Sequence, residues 1–169
     1  MVTGALGQIG TELVEALRSR YGAEAVVASD VRDIPNHPCV VGGPFRHLSV
    51  IDADALNNLK DISRWWEIIP KASILTPHPG EMSAITNLSK KEIQSNRIAT
   101  SIKYAKKWNV ILILKGAMTV IAFPSGKCYI NPFASSILAT AGTGDVLAGI
   151  IAGFIAQELK QELAAISGV

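Results

Sequence analysis

Three short stretches carry residue types able to do chemistry. At 139–145 the run Ala-Thr-Ala-Gly-Thr-Gly-Asp stands before an apolar segment that reads as a helix. Small residues leave backbone N–H groups uncovered at a helix N-terminus, so Gly142, Thr143 and Gly144 are expected to form an anion cradle. Asp145 follows directly. A carboxylate beside amides that hold a phosphoryl group can take the proton from the hydroxyl that attacks it. A plain helix-start carboxylate explains Asp145 but not the small residues before it.

The second stretch, Thr-Pro-His-Pro-Gly-Glu at 76–81, leaves a strand end, and its two prolines stiffen the backbone around His78. Open parallel sheets place ligands at such ends, which makes His78 a candidate contact; an ordinary hydrogen-bonded loop histidine is the alternative. The third, Leu-Lys-Gly-Ala-Met-Thr at 114–119, ends another strand. It offers Lys115 and the backbone of Gly116, Ala117, Met118 and Thr119 to a nucleotide's phosphate or ribose.

A further motif lies at the start of the chain. Gly4, Gly7 and Gly10 stand as G-x-x-G-x-x-G, with Gln8 and Ile9 inside the motif, between an apolar strand and an amphipathic helix. Asp30 ends the next strand, twenty residues beyond Gly10, with Arg32 close behind. Glycines allow a tight turn, helix amides meet a pyrophosphate, and the carboxylate accepts from ribose hydroxyls, so this turn is a candidate NAD site. The alternative is an ordinary strand-to-helix turn.

These residues need elements to hold them. Apolar patterning predicts strands at 1–3, 25–29, 47–52, 73–75 and 110–114, and helices at 8–21, 53–67, 89–108 and 144–157, the last of them buried. Ser89 and Glu92 have capping-box spacing. Residues 31–46, rich in Pro and Gly, read as a loop, and 119–123 with 127–130 read as a hairpin across Pro124-Ser125-Gly126. Alternating strands and helices imply an α/β fold of three layers, a mostly parallel sheet with helices on both faces and one β-hairpin. The first strand has only three residues before Gly4, and the last helix stops where another element would follow, so both ends read as cut.

Composition narrows the function classes. The chain has 169 residues, 49% hydrophobic and 18% charged, which suits one globular domain and excludes disorder. A net charge of +2, with no basic run longer than two residues, speaks against nucleic acid and membrane surfaces as partners. The apolar run 146–156 is about half of the ~20 residues that a membrane span needs. No signal-peptide pattern opens the chain, and Cys39 and Cys128 match no metal spacing, so a cytoplasmic protein with reduced thiols and no protein-ligated metal is expected. A homo-oligomer is compatible with all of this.

The stretch 2–50 resembles the N-terminus of extended short-chain dehydrogenases, most closely the L-threonine dehydrogenases, through Val-Thr-Gly-Ala-Leu-Gly-Gln-Ile-Gly, Val-Ala-Ser-Asp-Val-Arg and Gly-Pro-Phe. In that family Asp30 implies NAD rather than NADP. The rest of the chain lacks the Tyr-x-x-x-Lys such enzymes use: Tyr104 is followed by Lys106 and Lys107, and position 108 is Trp108.

From Asp52-Ala53-Asp54-Ala55-Leu56 onward the chain resembles the ADP- or ATP-dependent NAD(P)H-hydrate dehydratases of the ribokinase-like superfamily. The resemblance rests on Thr76 to Glu81, Leu114-Lys115-Gly116, Asn131, and Gly142 to Gly149. It implies repair of hydrated NAD(P)H, by phosphoryl transfer from ADP or ATP to the ring hydroxyl and loss of phosphate. His78 and Asp145 would contact the hydrated nicotinamide, with Asp145 the base. Lys115 to Thr119 and Gly142 to Gly144 would hold the adenine nucleotide, with Mg2+ neutralising phosphate charge. Two segments are therefore expected, a dinucleotide-binding-like βαβ unit over 1–50 and the C-terminal part of a dehydratase domain over 51–169, merged into one globular domain. The remaining alternatives are a dehydrogenase remnant and an inactive nucleotide-binding chimera.

Overall fold

Strands that are apolar at every position need cover on both faces, and the second part of the chain supplies it. The computed structural model describes residues 2–3, 6, 8–30, 34–47, 50–52, 54–71, 73–134, 140 and 142–169. In chain order the elements are β1 (Val2–Thr3), α1 (Gln8–Tyr21), β2 (Ala28–Asp30), α2 (Pro38–Val41), β3 (Phe45–His47), β4 (Val50–Ile51), α3 (Asp54–Leu59) and β5 (Ile74–Leu75). They continue with α4 (Pro79–Thr86), α5 (Lys90–Ser95), α6 (Arg97–Trp108), β6 (Ile111–Leu114), β7 (Val120–Ala122), β8 (Cys128–Ile130), α7 (Thr143–Ala156) and α8 (Gln161–Gly168).

The strands form two sheets, β1-β2-β3, all parallel, and β4-β5-β6-β7-β8. In the larger sheet β4, β5 and β6 run parallel, while β7 and β8 are antiparallel additions, the β7–β8 pair being the expected hairpin. Side chains sort by the two-residue period of a strand. Ile51, Leu75, Leu112, Leu114, Val120 and Ala122 join one cluster with α3, α4, α5 and α6. Val50, Ile74, Ile111, Ile113, Ile121 and Phe123 join another with α7 and α8. Helices thus cover both faces, as the apolar strands require.

A third cluster, centred on Val14, Val26, Ala28 and Cys39, is drawn entirely from the first 45 residues. Arg18 fastens that segment. Its guanidinium donates to the carbonyls of Val26, Cys39 and Pro44 at 3.3, 3.0 and 2.9 Å.

Several boundaries differ from the sequence reading. The single strand expected over 47–52 is two strands, β3 and β4, belonging to different sheets. The loop expected over 31–46 contains α2, with Pro38 at its start and the His37 ring accepting from Cys39 N–H. The helix expected over 53–67 stops at Leu59 and resumes as one 3-10 turn, Trp65–Glu67, after Arg64 in the left-handed region (φ 54°). That reversal puts Trp65 into the core, its ring centroid 4.7 Å from that of Trp108. Ser89 and Glu92 do form a capping box on α5, but the helix breaks at Asn96 and restarts as α6. The expected burial of α7 is also corrected: among its residues Ile151 and Ala152 are buried, while Val146 and Ile150 are 61% and 43% exposed.

Candidate functional site

Three parallel strands end side by side, and each hands a polar residue to the same place. Asp52 follows β4, Thr76 follows β5 and Lys115 follows β6. Asp52 Oδ1 accepts from the Thr76 hydroxyl at 2.7 Å and from the Lys115 ammonium at 2.6 Å. Lys115 Nζ also lies 3.9 Å from Glu81 Oε2. The three charged side chains are largely withdrawn from water, with 20% of Lys115, 11% of Asp52 and 7% of Glu81 accessible. In such surroundings a charge needs a partner, and each has one.

His78 begins α4. Its Nδ1 accepts from the N–H groups of Gly80 and Glu81 at 2.9 and 3.1 Å, while Glu81 Oε2 accepts from His78 N–H at 2.7 Å. This is a capping box with histidine as the cap. With Nδ1 an acceptor, the ring proton sits on Nε2, 3.3 Å from Glu81 Oε1. The ring remains half-exposed at the rim of the polar cluster. The loop expected at 76–81 is therefore a strand end followed directly by a helix start.

The turn from Lys115 to Thr119 is tightly held. Lys115 N–H donates to Pro77 O at 2.9 Å, and the Thr119 hydroxyl to Gly116 O at 2.9 Å. Gly116 has φ 136° and Met118 φ 57°, a backbone course that requires glycine at the first position. Opposite stands the N-terminus of α7, entered through Gly142 at φ 89°. A Cβ at Gly144 would sit 3.1 Å from Asp52 Oδ2 and 3.2 Å from Lys115 Nζ, so the absence of a side chain brings the helix start against the amine.

Between turn and helix lies an open cleft of about 670 Å³. Lys115, Gly116, Ala117, Thr119, Thr143 and Gly144 line its polar end, and Phe133, Val146, Leu147 and Ile150 its apolar wall. The exposed face of α7 is thus the wall of this cleft. The arrangement suits an anion joined to a flat apolar group.

Among the expected site residues, this cleft gathers Lys115, Gly116, Ala117, Thr119, Thr143 and Gly144. Met118 and Gly142 flank it without lining it. Asp145 is exposed on the first turn of α7, next to Gly144 and outside the lining. The sequence reading assigns no role to Asp52 or Glu81, although both stand within its motifs. The signal that would have found Asp52 is its position just past an apolar strand, the position that marked Lys115.

The glycine turn is partly described. Gly4, Gly7 and Arg32 lie outside the described residues, and Gln8, Ile9 and Gly10 open α1. Asp30 is 5% exposed and accepts from Leu6 N–H at 2.9 Å, tying the strand end to the turn. Tyr104, the tyrosine nearest to a dehydrogenase pattern, is buried against Trp108, and burial raises its pKa, opposite to what a catalytic phenol requires. No group of three His, Cys, Asp or Glu that could hold a metal occurs among the described residues, and none of their helices is long and apolar enough to cross a membrane.

Known proteins share this sequence and this fold. The chain is 48% identical over 120 residues to the bifunctional NAD(P)H-hydrate repair enzyme Nnr of Moorella thermoacetica, covering 71% of this chain and 23% of that protein. Its structure resembles the ADP/ATP-dependent NAD(P)H-hydrate dehydratase of Bacillus subtilis, co-crystallised with ATP/Mg2+ and soaked with CoA. The TM-score is 0.63 at 30% identity, over 84% of this chain and 53% of that one. A ribokinase-like superfamily protein from Enterococcus faecalis shares the fold, at TM-score 0.62 and 21% identity over 95% of this chain and 72% of that one. The chain thus spans about a quarter of the first relative and about half of the second. These relatives lend no support to NAD at the glycine turn. Residues 43–169, which include every residue of the cleft, match the Carb_kinase family of NAD(P)H-hydrate dehydratases, and the chain belongs to that family.

Proposed function

We propose that this chain catalyses dehydration of hydrated NAD(P)H at the expense of ADP or ATP. The observation that carries the reading is the meeting of the Lys115 amine with the Gly144 end of α7 at one end of a cleft whose other wall is apolar. Phosphate oxygens meet an ammonium and helix amides there, and the adenine lies against Val146, Leu147 and Ile150. Thr119 and the turn amides hold the remaining phosphate or ribose oxygens.

Asp145 takes the proton of the nicotinamide ring hydroxyl as that oxygen attacks the terminal phosphoryl group of the nucleotide, whose bridging P–O bond breaks so that AMP leaves from ADP, or ADP from ATP. Phosphate then leaves from the ring, and the neighbouring ring carbon gives up a proton to solvent, as the carbon–carbon double bond reforms. His78 presents its exposed ring to the same substrate, held rigid by the two amide N–H groups on Nδ1. The largely buried carboxylates of Asp52 and Glu81 are oxygen donors of the kind Mg2+ takes, alongside phosphates and water. They would hold that ion, which supplies charge neutralisation on the phosphates. The hydrated NAD(P)H, the nucleotide and the metal are thus the partners of this chain.

The test mixes purified protein, hydrated NADH, ADP or ATP, and Mg2+, and follows the reappearance of NADH absorbance. Turnover is expected, and Asp145→Asn should lower it by about 10²–10⁴-fold, the contribution of a general base, with ADP still bound. No regeneration of NADH with either nucleotide would sink the proposal.

A further inference from the structure

Arg97 stands at the start of α6, just after the break at Asn96, and its guanidinium crosses the end of β6. Nη2 donates to Leu114 O at 2.8 Å and to Lys115 O at 3.2 Å, while Nη1 donates to Gln94 Oε1 at 2.7 Å. Gly116 lies against the same group: a Cβ there would meet Nη1 at 3.3 Å and Nη2 at 3.4 Å. The Nε–H is buried without a protein acceptor among the described residues, and burial lowers the guanidinium's pKa. Placing a cation there is therefore costly, and a neutral side chain would spare that cost.

The gain is control of a turn. Lys115 sits where the sheet's ladder ends, with its N–H held by Pro77 O. Its carbonyl lies past the end of the strand, while Leu114 before it is the last residue of β6 and stands opposite Val120 in the ladder with β7. With Arg97 bonded to both carbonyls, the peptide groups on either side of Lys115 are fixed, and with them the direction in which the amine leaves the backbone. The guanidinium also occupies the space that keeps residue 116 a glycine.

We infer that Arg97 is a positioning residue for the anion-binding end of the cleft, setting the Lys115–Thr119 turn without touching the nucleotide. This rests on the reading of the cleft as a nucleotide site. Lysine cannot substitute, because an ammonium lacks the flat fork that bridges two carbonyls while lying against Gly116.

The test is calorimetry on the full chain with ADP and, separately, adenosine, in the presence of Mg2+. Arg97→Lys is expected to raise the Kd for ADP about tenfold and that for adenosine by less than about twofold, since only ADP has phosphates for the turn to hold. Gln94→Ala, an exposed change that releases Nη1, should shift ADP in the same direction by less, and decides the matter if Arg97→Lys does not fold. Equal losses for ADP and adenosine, or an unchanged ADP affinity, overturn the assignment of Arg97 alone. A native chain that binds neither ligand overturns the nucleotide reading, and the assignment with it.

Discussion

Replacing Lys115 with methionine removes the one ammonium that two withdrawn carboxylates share. Asp52 Oδ1 at 2.6 Å and Glu81 Oε2 at 3.9 Å would then face each other's charge with only the Thr76 hydroxyl, the His78 amide and the His78 ring N–H left as donors. Removing one member of a fully buried pair costs about 3–5 kcal/mol, and partial solvent access at Lys115 reduces this to about 2–3 kcal/mol. For a chain of this size that corresponds to a melting temperature lower by about 5–10 °C. Circular dichroism melts and urea titrations at neutral pH read both quantities. Adding Asp52→Asn to Lys115→Met removes the stranded charge as well, so the double variant should be more stable than the sum of the single changes by at least about 1 kcal/mol. A Lys115→Met chain that melts within a degree or so of the native one, or a strictly additive double variant, would refute the view that the cluster is held by mutual charge compensation.

Three other outcomes are expected. Gly116→Ala forces a side chain into a φ of 136° and against the Arg97 guanidinium, and should lower the urea-unfolding free energy by about 1–3 kcal/mol. Leu112→Ala empties a fully buried position in the middle strand of the larger sheet and should cost about 2–5 kcal/mol in the same titration. The pKa of Glu92 is held below its ordinary value by the Ser89 hydroxyl and then by the Ser89 N–H. Its folded pKa is depressed, so its stabilising effect is complete above the ordinary carboxylate value of 4.5 and is lost as pH falls through the lower, folded value. Glu92→Gln should therefore melt slightly below the native chain at neutral pH, with the gap closing in acid; a gap that widens in acid would contradict the sign.

Much of the architecture was legible because apolar side chains obey local periods. The helix at 8–21 and the hairpin across Pro124-Ser125-Gly126 match their expected places, and β6 falls inside its predicted strand, since each carries its own punctuation. Several boundaries were not legible, among them two inside expected helices. The break at Asn96 interrupts a sequence that suits a helix, and it places Arg97 where it reaches β6. The helix expected to run to residue 67 gives way as Trp65 turns into the core and packs against Trp108, tertiary packing overriding local propensity. The apolar surface of α7 reads in sequence as a wholly buried helix; hydropathy registers that a face avoids water, not whether protein or ligand covers it.

By itself the sequence determined the residue types at three strand ends and one helix start, the alternating elements that present them, and the family to which they point. Only the tertiary structure decided which of them meet. Lys115 and Asp52 are 63 positions apart and 2.6 Å from each other, because parallel strands bring successive C-terminal ends to one edge. The same arrangement brought in Glu81, for which the 76–81 motif offered no role of its own, and Arg97, whose neighbours in the chain give no sign of a site. Local pattern is written in the backbone's periods, whereas contact between charges depends on which strands pair. That pairing is settled by burial of both sheet faces at once.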